Sequence, residues 1–363
     1  MAVGMTVTLV AALGHGFVIN PPSRNSIDKD LPLFANGSFP TTAGKPGCTP
    51  STGACGCWCS NGTNACEPGQ SCFWFSQGCS IGCPSCLGVD GSARWQKDLC
   101  NNSVRATVCN PALRTYNMDA ECNSDADTYK HNPWRAPGTA PVFDACGRAG
   151  GGITGGKVGG GAAFYIDTVH AKEGDLGSKV LPPLPSGVTY KAGEMFEASW
   201  GMRANHGGGY QYRLCPNSEP LTETCLQAHP LPFAGVQMLE YANGSRQTIP
   251  SVYAYANGTA AFSYVDRPAP TAAGAWARNP IPDHTQYGST SKLPTEFPPP
   301  CRDDTSPPTN GLCSGERPFH LSIVDQVLIP TDTPPGDYVL GFRWDCEETA
   351  QIWSSCADVT IVA

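Results

Sequence analysis

Residues 332–345 read DTPPGDYVLGFRWD, a Pro-Gly turn followed by a regularly alternating run. The large apolar side chains of this run stand two positions apart, at Tyr338, Leu340, Phe342 and Trp344. Because successive side chains of a β-strand point to opposite faces, this spacing predicts a strand that buries one face. Residues 351–363, QIWSSCADVTIVA, are predicted to form the closing strand.

Other segments carry the same signals of short strands. In residues 205–215, NHGGGYQYRLC, one face is formed by Tyr210, Tyr212 and Leu214 and the other by Gln211 and Arg213. Residues 251–255 and 260–265 flank Asn257-Gly258, a dipeptide typical of tight hairpin turns. Residues 17–20 are also strand-like.

The overall pattern favours an all-β fold. No segment of about 12 or more residues has the periodicity of an amphipathic helix. Short strands separated by turn signals predict an immunoglobulin- or fibronectin-III-like β-sandwich with long disulfide-stapled loops. We expect one domain over residues 15–363. It would contain a cysteine-rich loop insertion at 48–86, a glycine-rich loop at 147–161, which also has the composition of a linker, and a Pro-rich loop at 266–318.

Composition and charge exclude several classes of protein. Charged residues make up 15% of the 363, whereas 41 glycines and 34 prolines indicate a loop-rich chain. The net charge is −8 and there is no run of Lys or Arg, so nucleic acid is excluded as a partner. A neutral polysaccharide would not be repelled. No apolar run reaches the roughly 18 residues of a membrane-spanning helix.

Nineteen cysteines indicate an oxidising compartment. Nine of them lie in residues 48–86, where Cys-x-Cys and Cys-x-x-Cys spacings admit tetrahedral zinc but, at this density in a secreted chain, favour disulfides. The odd total leaves at least one thiol free or paired with another chain. Extracellular location, in a cell wall or at a cell surface, also agrees with five glycosylation sequons at Asn36, Asn61, Asn101, Asn243 and Asn257.

The first 14 residues, MAVGMTVTLVAALG, are predicted to be a signal peptide. They contain a short apolar stretch and end in a small-x-small pattern, Ala12-Leu13-Gly14. The alternative is a retained N-terminal strand at residues 6–13, which are rich in Val and Thr. If cleavage follows Gly14, His15 starts the mature chain and offers both an amine and an imidazole. With one further imidazole, these form an all-nitrogen site suited to copper.

Four segments resemble the lytic polysaccharide monooxygenases and their relatives in the chitin-binding type-4 superfamily, in particular a cysteine-rich branch from algae and oomycetes. The segments are HGFVINPPSR (15–24), NPWRAPGTAPVFDACG (132–147), NHGGGYQYRLC (205–215) and PPGDYVLGFRWDCEETAQIWSSCADV (334–359). The resemblance extends over nearly all of residues 15–363. It implies the same β-sandwich that the strand pattern predicts.

The resemblance also implies a copper site, the family's histidine brace. His15 would supply the amine and one imidazole, and His206 the third nitrogen. The glycines after His206 would let backbone approach closely and leave the copper face uncluttered for substrate. Gln351 matches a residue that hydrogen-bonds an oxygen species on copper. Trp353 stands three residues before Cys356, where the family usually has an axial Tyr or Phe, and so departs from the family pattern.

The function implied is a secreted copper monooxygenase that cleaves an extracellular polysaccharide, similar to cellulose or chitin, at C1 or C4 with electrons from an external donor. One alternative is a non-catalytic structural glycoprotein that assembles into filaments when residues 6–13 add to a neighbour's sheet edge. Another is a carbohydrate-binding protein without catalysis. Glycoside hydrolysis is disfavoured, since the acidic pairs Asp303-Asp304 and Glu347-Glu348 are expected to be solvated loop charges. Serine hydrolysis lacks its G-x-S-x-G motif.

Three consecutive aromatic residues, Phe73, Trp74 and Phe75, form a weak candidate for substrate binding. Aromatic faces stack well on pyranose rings. The alternative is that these rings are buried within the cysteine-rich loop.

Overall fold

The computed structural model describes residues 15–37, 69–77, 81, 121, 124–127, 129–151, 165–241, 244–255, 260–263, 270–281 and 321–363. Within these ranges the strands are β1 (His15–Asn20), β2 (Trp74–Gln77), β3 (Arg148–Ala149), β4 (Thr189–Lys191), β5 (Met195–Ala204), β6 (Gly209–Pro216), β7 (Phe233–Tyr241), β8 (Arg246–Ile249), β9 (Ser251–Ala254), β10 (Ala260–Ser263), β11 (Trp276–Arg278), β12 (Leu321–Leu328), β13 (Gly336–Asp345) and β14 (Gln351–Val362). The helices described are α1 (Gly177–Val180), α2 (Glu223–Ala228) and short 3-10 turns at Arg24–Asp30, Pro32–Gly37, Ser71–Phe73 and Pro133–Arg135.

The strands form two sheets. The first has the order β1-β5-β12-β7-β8, and the second has the order β10-β9-β11-β6-β13-β14-β2-β3. All of these pairs are antiparallel, and the short strand β4 adds in parallel to the end of β14. The expected all-β sandwich is therefore confirmed, as is the antiparallel pairing of β9 with β10, while Asn257-Gly258 lies outside the described residues.

The core lies between the two sheets and uses the alternating side chains that the sequence indicated. Seven buried side chains from β6 and β13 belong to the main core cluster. They are Tyr210, Tyr212, Leu214, Tyr338, Leu340, Phe342 and Trp344. Trp200, from β5 in the opposite sheet, packs against Tyr210, Phe342 and Trp344 with ring centroids 4.8, 5.4 and 5.2 Å apart. Aromatic pairs of this kind contribute to stability beyond the effect of the area they bury, and here they join the two sheets.

The outer face of the second sheet is buried as well. Helix α2 starts at the N-cap Thr222, whose hydroxyl accepts a hydrogen bond from the Cys225 amide, and packs over β13. A Cβ at Gly341 would overlap Leu226 of this helix, so glycine is needed for the close approach. Beneath α2, Glu223 forms ion pairs with the fully buried Arg213 and Arg343.

Two disulfides fasten loops to the second sheet, as the cysteine content predicted. Cys146–Cys356 joins the segment before β3 to β14, and Cys215–Cys225 joins the end of β6 to α2. Among the described residues the free cysteine is Cys346, at the end of β13.

Two segments differ from expectation. Residues 266–318 were predicted to be loop, but Trp276–Arg278 forms β11, which fills the gap between β6 and β9. Residues 147–161 begin as part of the sheet, because Arg148–Ala149 pairs with β2. Such pairing depends on distant partners, and no local pattern announces it.

Several predictions fall outside the described residues. They are the leader at residues 1–14, most of the cysteine-rich loop at 48–86, and the sequons at Asn61, Asn101, Asn243 and Asn257. The Asn36 sequon lies in the 3-10 turn Pro32–Gly37. None of the helices in the described ranges is long and apolar enough to cross a membrane.

Candidate functional site

The two histidines predicted to bind metal belong to chain segments that are distant in sequence but neighbours in space. Strand β1 starts at His15, whose backbone lies opposite that of Ala204, the last residue of β5. His206 follows two residues later, in the loop that leads to β6. The pairing of β1 with β5 thus brings the start of β1 close to the loop that carries His206, although 191 residues separate the two histidines in the chain.

The His206 loop is fixed on both sides by hydrogen bonds. The Asn205 side-chain oxygen accepts hydrogen bonds from the Gly207 amide at 2.9 Å and from the Asn279 side chain at 2.7 Å. The Asn205 Nδ2 donates to the Ile281 carbonyl at 2.9 Å. All these groups are buried, and buried polar groups that are fully hydrogen-bonded impose a single conformation.

The glycines after His206 serve close packing. Gly208 has a φ of +80°, and a Cβ there would collide with the carbonyl oxygen of Asp345. A Cβ at Gly209 would collide with the Trp134 ring. The predicted close backbone approach is therefore confirmed. The expected open face is wrong for this structure, because Gly207, Gly208 and Gly209 are all buried under neighbouring segments.

His206 itself is fully buried and lies beside a carboxylate. Its Nδ1 is 3.5 Å from Oε2 of Glu348. Its backbone carbonyl accepts hydrogen bonds from the amides of Glu347 and Glu348, at 3.0 and 3.1 Å. Glu348 therefore contacts His206 through both its backbone and its side chain.

The pair Glu347-Glu348 was expected to consist of solvated charges, and the structure corrects this. The Glu347 side chain is fully buried and forms an ion pair with Arg135, which also binds Asp127 at 2.8 Å. Burial alone would lower the pKa of Arg135, but the charges of Glu347 and Asp127 outweigh it and hold that pKa above its usual value. The Asn132 side chain donates to the Glu347 carbonyl at 2.6 Å. The turn at residues 346–348 is thus held firmly against His206.

Gln351 and Trp353 lie at the start of β14, both buried. The Gln351 carbonyl accepts a hydrogen bond from the Cys346 amide at 3.1 Å, and its side chain accepts one from Thr349 at 3.2 Å. Trp353 pairs across the sheet with Trp344 and packs on Phe75, with ring centroids 4.4 Å apart. Both residues therefore connect to the His206 loop through the end of β13, and Trp353 is part of the core cluster.

The aromatic residues Phe73, Trp74 and Phe75 are 7, 1 and 0% exposed. Trp74 and Phe75 belong to β2, which pairs with the start of β14. The prediction that they bind sugar rings is corrected, because rings buried to this extent have no face free for stacking on a polymer. Their packing energy stabilises the second sheet instead.

Cys346 is the buried free thiol of this region. Burial raises the pKa of the thiol well above its usual value, with Thr349 and Trp353 as hydrogen-bond partners that oppose the shift. A thiol kept protonated is a poor nucleophile and a poor metal ligand.

The donor atoms present are of the kind that copper accepts. An imidazole, His206, lies next to a carboxylate, and the backbone of a second histidine starts the neighbouring strand. Imidazole nitrogens suit copper and zinc, and a carboxylate on the other ring nitrogen is a common arrangement at such sites. Among the described residues there is no group of three or more His, Cys, Asp or Glu side chains arranged to hold a metal.

The roles of Glu348, Asn205 and Asn279 were not predicted from the sequence. Asn205 directly precedes His206, and an Asn before a glycine-rich turn is a local signal that could have been used. Glu348 and Asn279 are distant in the chain from His206, and no sequence spacing marks them.

No family model matches the chain. A search of curated proteins also finds no match. Solved structures similar to it include an AA10 lytic polysaccharide monooxygenase from Streptomyces lividans, with 10% identity over 50% of this chain and 60% of that one and a TM-score of 0.22. An AA15 lytic polysaccharide monooxygenase from Thermobia domestica in the Cu(I) state has 17% identity over 48% of this chain and 62% of that one, with a TM-score of 0.19. A chitin-binding domain from Burkholderia pseudomallei has 12% identity over 96% of this chain and 100% of that one, with a TM-score of 0.28.

The chain thus spans less than two thirds of the length of the two monooxygenases. At these TM-scores the likeness identifies neither a family nor an activity.

Proposed function

We propose that this chain is a secreted copper-dependent polysaccharide monooxygenase, with His15 and His206 as the metal ligands. The observation that carries the proposal is the antiparallel pairing of His15 with Ala204, which puts the start of β1 beside the loop of His206. The four sequence segments that resemble the monooxygenases support it, because they include both histidines and the strands around them.

In this proposal His15 is the mature N-terminus and contributes its amine and its imidazole. A bound copper ion would supply one-electron redox chemistry with an external electron donor. The role of the chain is to hold His206 in a fixed position, through Asn205, Asn279 and the turn at residues 346–348. Fixed ligands lower the cost of organising a metal site. Gln351 and Trp353 are proposed as neighbours that tune it.

The substrate proposed is an extracellular polysaccharide of the cellulose or chitin kind. The chain's net charge of −8 would not repel a neutral polymer. The five sequons at Asn36, Asn61, Asn101, Asn243 and Asn257 are proposed as glycosylation sites of the secreted protein. A mass decrease after glycosidase treatment would report their occupancy.

The first experiment is the intact mass and N-terminal sequence of the protein secreted with its own leader. A start at His15 is expected, followed by binding of one copper ion in a calorimetric titration. His206→Gln should lose that binding, whereas His229→Gln, at an exposed histidine after α2, should keep it. A start upstream of His15, or unchanged binding in His206→Gln, would refute the copper site.

Activity is tested separately, by incubating the copper-loaded protein with cellulose or chitin and ascorbate. Oxidised oligosaccharides detected by mass spectrometry would support the monooxygenase. Their absence with tight copper binding would leave a copper protein with another role.

The second candidate is a non-catalytic structural glycoprotein on the same scaffold. Complete burial of His206 and the core position of Trp353 favour it, because a catalytic metal site must admit substrate. β1 and β8 are the outermost strands of the first sheet among the described residues, and such edges can accept an added strand. Concentration-dependent polymerisation in analytical ultracentrifugation, with no copper binding, would favour this candidate.

A further inference from the structure

We infer that Glu348 is a positioning residue, which holds the His206 imidazole in the form protonated at Nδ1 and so presents Nε2 to a metal. The inference rests on the proposed function for its metal and on geometry for its tautomer. Glu348 Oε2 lies 3.5 Å from His206 Nδ1, and the Glu348 side chain is only 8% exposed.

A carboxylate at this place acts on the proton position of the ring. A neutral imidazole carries its proton on one nitrogen only, and a nearby anion favours the tautomer whose N–H points towards it. In low-dielectric surroundings this preference is stronger than in water. In that tautomer the ring's basic lone pair lies on Nε2.

The backbone of Glu348 cannot easily move away from the ring. Its amide donates to the His206 carbonyl at 3.1 Å, and the Glu347 amide donates to the same oxygen at 3.0 Å. The carbonyl of Cys346, the residue before Glu347, accepts a hydrogen bond from the Trp134 amide at 3.2 Å. Because the main chain is anchored on both sides of Glu347, the Glu348 carboxylate starts from a fixed point beside the imidazole.

The adjacent acid has a different task. Glu347 is neutralised by Arg135, whereas Glu348 has the imidazole of His206 as its neighbour. The two consecutive glutamates are thus divided between an ion pair that fixes the turn and a carboxylate that orients the histidine. A metal-binding histidine commonly directs its second N–H at such a carboxylate, which also makes the ligating nitrogen more basic.

The test uses the metal-free protein labelled with 15N-histidine, at neutral pH. Long-range 1H–15N correlation distinguishes a ring protonated at Nδ1 from one protonated at Nε2. The His206 signals are identified by their absence from His206→Gln. We expect the Nδ1–H form in the wild type, because an ionised carboxylate can accept a hydrogen bond from Nδ1–H but cannot donate one to Nδ1. We expect the Nε2–H form in Glu348→Leu.

A wild type with mainly Nε2–H, or a Glu348→Leu variant that keeps Nδ1–H, would overturn the inference. The wild-type spectrum tests it even if Glu348→Leu folds poorly. As a second readout, copper should bind about 10- to 100-fold more weakly to Glu348→Leu. The control Glu219→Leu, at an exposed acid beyond the far end of β6, should bind copper as the wild type does. Unchanged affinity in Glu348→Leu would overturn the role in metal binding.

The outcomes separate the two proposals. The expected tautomer with no copper binding by the wild type would leave the positioning role intact and refute the proposed function. Copper binding with the opposite tautomer would do the reverse.

Discussion

The indole Nε1 of Trp344 donates a 2.8 Å hydrogen bond to the carbonyl oxygen of Gly207. One side chain thereby joins the aromatic core to the loop of His206. Trp344 also packs on Trp200, and a Cβ at Gly16 would overlap its ring, so β1 crosses directly over it. The position of the His206 loop and the packing of β1 therefore depend on the same indole.

Trp344→Phe should loosen the loop and lower stability together. The variant leaves the Gly207 carbonyl without its donor and removes part of a buried ring, which should cost about 2–4 kcal/mol. Urea unfolding measures the loss. Copper affinity should fall as well, whereas Phe196→Leu, which alters a buried ring stacked on Tyr190 at the opposite end of β5 from Ala204, should destabilise without changing that affinity. Equal copper affinity in both variants would contradict the coupling.

Gly208→Ala should be much more destabilising than Gly244→Ala. Both glycines have a φ of +80°, so the backbone strain added by a Cβ is the same, about 1 kcal/mol. At Gly244 the space is open, whereas at Gly208 the methyl group meets the Asp345 carbonyl. Overpacking should add about 1–3 kcal/mol at Gly208. Equal losses in unfolding experiments would show that the loop can move away from β13.

Asp325 should make stability fall as the pH rises from about 4 to about 6. Burial raises its pKa to about 6, although hydrogen bonds from Gln237, Tyr210 and Tyr212 oppose the shift. The folded state therefore binds a proton that the unfolded state releases near its ordinary value of 3.8, and this advantage disappears as the pH passes 6.

Asp325→Asn does not titrate at this position. Its stability relative to the wild type should therefore improve by about 2 kcal/mol between pH 4 and pH 7. Asp332→Asn, at an exposed loop carboxylate, corrects for the general pH dependence. Parallel stability curves for wild type and Asp325→Asn would count against the raised pKa.

The two described disulfides should contribute unequally. Cys146–Cys356 spans 210 residues and Cys215–Cys225 spans 10, so the first restricts the unfolded chain far more. On loop-closure entropy alone, replacing each pair by alanines should cost about 5 and about 3 kcal/mol. Denaturant unfolding of the two double variants gives the comparison, and an equal or reversed order would be inconsistent with an entropic origin.

The strands were predictable where one face alternates with the other. Residues 338–344 carry large apolar groups at every second position, as expected for a strand that buries one face. β11 was missed because Trp276–Arg278 is short and surrounded by Pro-rich sequence. It becomes a strand only because the edges of β6 and β9 are available to pair with it.

The site was predictable in part. His206 was selected through the resemblance of the segment that holds it, whereas the pairing of β1 with β5, which brings the start of β1 near its loop, has no mark in the sequence. Whether Phe73, Trp74 and Phe75 face solvent or core has no local signature, since an aromatic residue suits either place. Glu348 was indistinguishable from a surface acid, because its burial depends on the Arg135 and Trp134 segment, which lies more than 200 residues away.

The buried thiol of Cys346 is a native probe of local opening in this protein. In the closed state the sulfur is inaccessible, so an alkylating reagent can modify it only when the turn at residues 346–348 separates from the His206 loop. When closing is faster than alkylation, the labelling rate at this cysteine, located by peptide mapping, gives the free energy of that local opening. The site can thus be followed in the intact molecule without an introduced probe.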